Sequence, residues 1–165
     1  MKLSSFLIAI LLFQPALLMA EAKPDRRTTT DAFDDWAINC VEQEGKKACE
    51  MKQSLLNSNK ALVAVLSLGK KSDGSILFQL ALPHLLDLTR PVELTVDDNK
   101  LSSYPFNFCN KAACFVIPAE TDKLMAAFRK GNAGQIKSVT ITGEPIVLGF
   151  SLKGFSSAVE SLKKR

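Results

Sequence analysis

The sequence predicts a mainly β domain, an antiparallel β-sandwich or partly closed barrel with two short helices in its C-terminal third. Three observations carry that expectation. Apolar residues alternate with polar ones in many short runs, clusters of Gly, Asn, Asp and Pro separate those runs, and helical spacing appears only in two late segments.

Residues 23–32 are polar and charged, with Pro24 and the threonines Thr28 to Thr30, which predicts a flexible N-terminal segment with order beginning at Phe33. Trp36, Ile38 and Cys40 then alternate as on a half-buried strand. Ala48 to Leu56 and Ala61 to Leu68 are the next strands, split by the hairpin signal Asn57-Ser58-Asn59-Lys60. Ser75 to Leu82 is apolar enough for an interior strand, and Pro83 ends it. Pro83 to Pro91 is a connection with at most one helical turn. Val92 to Val96 restores the alternation of two, and Asp97-Asp98-Asn99 turns the chain into a strand from Lys100 to Cys109. Cys114 to Pro118 is its short return arm. Glu120 to Gly131 places Leu124, Ala127 and Phe128 at spacings of three and four, with acidic residues at its start and a lysine and glycine at its end, which makes it a helix. Strands Ile136 to Thr142 and Ile146 to Leu152 flank Gly143-Glu144-Pro145. Phe155, Ala158, Val159 and Leu162 form the stripe of a second short helix.

The chain opens with Met1-Lys2, an apolar stretch from Leu3 to Leu18 and the small-residue pattern Ala20-Glu21-Ala22, which reads as a signal peptide over residues 1–22. Pro15 and the short apolar length, set against a bilayer core about 30 Å thick, favour cleavage over anchorage. No transmembrane segment is expected in the mature chain. Lys2 and Glu21 leave together, so the mature charge stays at +4. Residues 33–165 are expected to be one domain. The protein is then extracytoplasmic: periplasmic, outer-membrane-associated or secreted.

Export decides how the four cysteines are read. In an oxidising compartment Cys40, Cys49, Cys109 and Cys114 are structural disulfides rather than metal or redox groups. Three connectivities are open to any four cysteines. Turn chemistry favours local pairing, because Cys40 and Cys49 flank the polar run Glu42 to Lys47, and Cys109 and Cys114 flank Asn110-Lys111-Ala112-Ala113. Each such bridge stabilises the fold by about 2–3 kcal/mol. The basic doublets Arg26-Arg27, Lys46-Lys47 and Lys70-Lys71 and the run Lys163-Lys164-Arg165 are dispersed. They point away from nucleic acid and toward a protein or an anionic cell-surface component, on the host or on the bacterial envelope.

Asp35-Trp36 followed by Cys40, then Cys49-Glu50-Met51 with Gln53, Leu82-Pro83 before a strand ending at Asp97, Pro105-Phe106 with Cys109 and Cys114, and Ser151-Leu152-Lys153-Gly154-Phe155 with Ala158 together resemble the invasion-associated locus B family. The resemblance runs from about Phe33 to Leu162. It implies an exported bacterial protein of the periplasm or outer surface, associated in some pathogens with entry into host cells, and it brings no catalytic site. The chain departs from the family at His84, where a small residue, usually glycine, is expected.

Catalytic chemistry finds little support. His84 is the one histidine, and Asp87 three residues on could pair with it, but no G-x-S-x-G elbow supplies a nucleophile. The acidic pairs Asp34-Asp35 and Asp97-Asp98 read as turns. A calcium loop starting at Asp97 fails, because Ser102 stands at its glycine position and Phe108 at its bidentate glutamate position. No phosphate-cradling glycine pattern is present. No catalytic residue, cofactor or metal site is therefore expected. Trp36 reads as a core residue beside the first hairpin. Tyr104, Phe106 and Phe108 alternate on one predicted strand face, and Tyr104 with Asn110 and Lys111 of the Cys109 to Cys114 tip makes the candidate binding loop, since pinned loops on a rigid sheet are where recognition residues sit. The expected function is that of an exported, non-enzymatic binding module acting in host-cell contact. The alternatives are a housekeeping component of the envelope and, behind it, a hydrolase built on His84.

Overall fold

The computed structural model describes residues 25–165; the expected signal peptide, residues 1–22, lies outside the described residues. Eleven strands and two helices follow in the order β1 (Arg26–Phe33), β2 (Trp36–Gln43), β3 (Lys46–Leu56), β4 (Leu62–Lys70), β5 (Ile76–Leu82), β6 (Val92–Val96), β7 (Asn99–Tyr104), β8 (Phe108–Cys109), β9 (Cys114–Val116), α1 (Thr121–Lys130), β10 (Ala133–Val139), β11 (Pro145–Ser151) and α2 (Phe155–Lys163). They build two antiparallel sheets, one of seven strands ordered β1-β2-β3-β4-β5-β9-β8 and one of four ordered β11-β10-β6-β7. The fold is thus a sandwich with open edges, as the period-two pattern predicts.

Period two also fixes what lies inside. Trp36, Ile38 and Cys40 of β2, Met51 and Leu55 of β3, Leu66 and Leu68 of β4, and Phe78, Leu80 and Leu82 of β5 are all buried. Facing them are Val92, Leu94 and Val96 of β6, Ile136, Phe150 and the apolar stripes of both helices. Phe128 of α1 lies 5.7 Å from Phe78, 5.3 Å from Phe150 and 5.4 Å from Phe155, ring centre to ring centre, so one aromatic cluster joins helices and sheets.

Tight turns set the register. Glu44-Gly45 and Asp97-Asp98 carry positive φ at both central positions, the left-handed geometry that matches strand twist in two-residue hairpins. Asn57 Oδ1 accepts from the Asn59 and Ala61 amides to shape the β3–β4 turn. Gly154 enters α2 at φ +82, where an added Cβ would stand 2.0 Å from the Phe33 carbonyl oxygen. Only glycine fits there.

Two expectations are corrected. Residues 26–33 form a strand paired along its full length with β2, not a flexible segment. Residues 26–32 are exposed, so they carry no apolar alternation; the β-propensity of the threonines and the register of β2 place them in the sheet. The single strand expected from Lys100 to Cys109 is two strands in different sheets. Pro105 interrupts it, and the chain crosses from β7 to β8.

Exposed carboxylates on this frame are held in the charged form. Lys100 and then Lys137 lower the Glu93 pKa below its ordinary 4.5, and Arg129 and Lys163 do the same for Glu160. Asp73 and Asp87 are lowered by hydroxyl and amide bonds from Ser75 and Thr89. A carboxyl whose folded pKa lies below its unfolded value stabilises the fold above the unfolded value and loses that contribution as pH falls through the folded one. The melting temperature is therefore expected to hold between about pH 7 and 5 and to fall progressively below about 4.5. Added salt should shrink the difference, because these pairs are at the surface. Calorimetry across that range checks it.

Candidate functional site

Cys40 pairs with Cys49 and Cys109 with Cys114, with Cα atoms 4.1 and 4.0 Å apart. Both couples join residues directly opposite on neighbouring strands, as the flanking turn chemistry predicts. The second pins the β8–β9 hairpin at the edge of the seven-stranded sheet.

Asn110 and Lys111 sit at the tip of this hairpin, and both are exposed. The Asn110 side chain is occupied in shaping the tip: its Oδ1 accepts from the Ala112 and Ala113 amides at 2.8 and 3.1 Å. Its backbone carbonyl takes a bond from His84 Nε2 at 2.8 Å. Since a carbonyl only accepts, Nε2 must carry the proton. His84 thereby ties the Pro83 to Pro91 connection to the tip. Asp87 is not its partner, because the Asp87 carboxylate bonds Thr89 and pairs with Arg90. The two residues that a His-Asp arrangement would need are thus turned to separate structural tasks.

Tyr104 does not belong to this loop. It is buried at the end of β7 in the other sheet, and burial pushes its hydroxyl pKa up. The aromatic that does project is Phe108, 48% exposed and stacked on Phe115 at 4.8 Å. Phe106 is half-buried against the core.

Register reveals what lies beside the tip. Val65 opposes Ala81, Ala81 opposes Phe115, and Phe115 opposes Phe108, so the four form one apolar row across β4, β5, β9 and β8. The core row beneath is Leu66, Leu80 and Val116, which puts the first row on the outward face by the alternation of strands. A groove of about 260 Å³ follows it, bounded by Leu62, Val65, Ala81, Pro83, Ala113 and Phe115. Val63, at the register shift between β3 and β4, also lines a smaller apolar cavity of about 90 Å³. None of these groove residues was among the expected site residues. The signal was present, because the run Leu62-Val63-Ala64-Val65-Leu66 is apolar at both parities, where a strand with a solvated outer face alternates.

Two larger depressions have linings of mixed polarity. One, about 720 Å³, lies where β3 approaches β11 and includes Asp35, Asp97 and Asp98. Asp97 is spent on the Asn132 and Ala133 amides. The other, about 810 Å³, opens beside the start of α1 and mixes Lys71, Lys123 and Arg129 with Glu120 and Asp122. Arg129 is bonded to Glu160 at 2.7 Å. Among the described residues no group of three or more His, Cys, Asp or Glu side chains is placed to hold a metal, and no helix is long and apolar enough to cross a membrane.

Residues 36–163 match the family model for Invasion associated locus B (IalB) protein. The chain is 28% identical to an Invasion protein B homolog of Brucella abortus (strain 2308) over 142 residues, which covers 82% of this chain and 80% of the relative. It is 29% identical over 138 residues to Invasion protein B of Bartonella bacilliformis, covering 81% of this chain and 74% of that one. The crystal structure of invasion associated protein b from Bartonella henselae superposes with a TM-score of 0.69 at 29% identity, over 81% of this chain and 94% of the other.

Proposed function

The chain belongs to the Invasion associated locus B (IalB) family, and on that premise we propose that it is an exported, non-enzymatic binding module of the bacterial envelope, working by host-cell contact. The contact surface is the Cys109 to Cys114 tip together with the apolar row Val65, Ala81, Phe115 and Phe108. The observation that carries this reading is an outward-facing apolar groove beside a loop held by a disulfide and by the His84 bond. A rigid loop costs little conformational entropy on binding, and an apolar groove supplies the area that drives association. Lys111 at the exposed tip adds a positive charge at its rim. The partner is accordingly a protein that offers an apolar side chain next to a carboxylate.

Leu62→Glu and Lys111→Glu test this. Leu62 is 59% exposed, so both variants should melt at the wild-type temperature. Each is expected to weaken adhesion of the purified chain to host cells by roughly tenfold, the scale of one lost interface anchor. Unchanged adhesion of both variants at intact stability would refute the surface assignment.

A further inference from the structure

The exposed edge of the seven-stranded sheet carries a self-complementary pattern, and we propose that β1 pairs antiparallel with β1 of a second copy of this chain, about a two-fold axis at Thr29. The phase of β1 follows from its turn. Asp34-Asp35 is a two-residue loop, so Phe33 and Trp36 exchange both backbone bonds, and by alternation Asp31, Thr29 and Arg27 also bond β2. Arg26, Thr28, Thr30 and Ala32 therefore turn their N–H and C=O groups outward at the free edge. β1 presents four such residues in a row, whereas the opposite edge strand, β8, is only two residues long.

An isologous antiparallel pair needs outward residues opposite outward residues, which limits the register. With Thr29 opposite its own copy, Arg26 meets Ala32, Thr28 meets Thr30, and Arg27 meets Asp31, twice by symmetry. Sliding the pair by two residues one way sets Asp31 against Asp25, a like-charge clash; sliding it the other way leaves Arg27 facing Phe33 and Asp31 facing Thr29. Of these three registers, only the one centred on Thr29 sets Arg27 against Asp31 and brings no like charges together. Asp31 is prepared for the contact, since Arg165 bonds its Oδ2 at 2.6 Å and its Oδ1 accepts from no described residue. Charged residues elsewhere blunt edges against pairing. Here they are arranged to select one partner. The dimer has a continuous sheet with β8 at both ends, so it carries two copies of the tip, far apart and able to engage one cell surface together. The pairing stands whether or not the tip is the contact surface.

Sedimentation velocity on the mature chain, run over a dilution series, tests the pairing. The wild-type protein should be a dimer that dissociates on dilution. Arg27→Glu should raise the dissociation constant at least tenfold, and Arg27→Glu combined with Asp31→Arg should restore it, because the swap rebuilds both cross-strand pairs. Thr28→Pro removes an outward N–H that β2 does not use, so it should give a monomer with the wild-type fold. A wild-type protein that stays monomeric throughout, or a dimer indifferent to both Arg27→Glu and Thr28→Pro, would overturn the proposal.

Discussion

Truncation after Leu152 is expected to abolish folding. The segment removed carries Phe155, Ala158, Val159 and Leu162, none more than 1% exposed. Helix α2 lays these against β1 to β4, and Phe155 meets Trp36 edge to face at 5.2 Å. Burying a large apolar side chain stabilises a fold by roughly 1.5–3 kcal/mol. Three such residues therefore rival the whole stability of about 5–15 kcal/mol expected for a domain. The sheet residues they cover would be exposed as well, so the truncated chain should aggregate and bind hydrophobic dyes. Circular dichroism and soluble yield read this out directly. Deleting only Lys164 and Arg165 should have a small effect. It removes the Arg165 bond to Asp31, but that pair is partly solvated and worth no more than about 1 kcal/mol. A truncated chain that folds cooperatively would show that α2 is not part of the core.

Gln53→Leu is expected to lower stability by about 3 kcal/mol, and the melting temperature by roughly 10 °C, although it replaces a polar core side chain by an apolar one of similar size. Gln53 is 6% exposed and uses every part of its amide. Nε2 donates to the Asp35 and Ser151 carbonyls and Oε1 accepts from the Ser151 amide, each at 3.0 Å. Ser151 ends β11, so these bonds fasten the two sheets where β3 meets β11. Trp36 Nε1 also donates to the Ser151 carbonyl at 3.0 Å. Leucine would leave the Ser151 amide and the Asp35 carbonyl without these partners in a part-buried site, which costs more than the added apolar contact returns. Gln53→Glu should be comparably damaging, since it exchanges the donor for a buried charge. Thermal melting of both variants checks the account, and a Gln53→Leu protein as stable as wild type would contradict it.

The strands that bury alternate residues were legible in the sequence, and so were both helices. Trp36-x-Ile38-x-Cys40 and Val92 to Val96 announce their inward faces, and Phe155 to Leu162 its stripe. The cysteine couples were legible too, because polar turns separate them. What the sequence hid follows one physical rule: a pattern appears only where burial differs between faces. β1 is exposed on both, so nothing in Arg26 to Ala32 alternates, and only its place beside β2 makes it a strand. The first half of β4 is apolar on both, so it read only as the strand after the Asn57 to Lys60 turn and its outward groove went unseen. Tyr104, Phe106 and Phe108 kept the period of a single strand, yet Pro105 sends the chain to another sheet and separates Tyr104 from the tip it was expected to share. His84 lies in a connection without periodicity, and only three-dimensional proximity gives it Asn110 as a partner.

Site-specific photocrosslinking tests the proposed contact surface most directly. A photoreactive residue would replace Lys111 in one preparation and the exposed Glu144 of the β10–β11 turn in another. Both would be added to host cells and irradiated, and covalent adducts resolved by mass. A discrete adduct to one surface protein is expected from position 111, lost when Leu62→Glu is added, and none from position 144. Adducts from both positions alike, or from position 144 alone, would contradict the surface assignment.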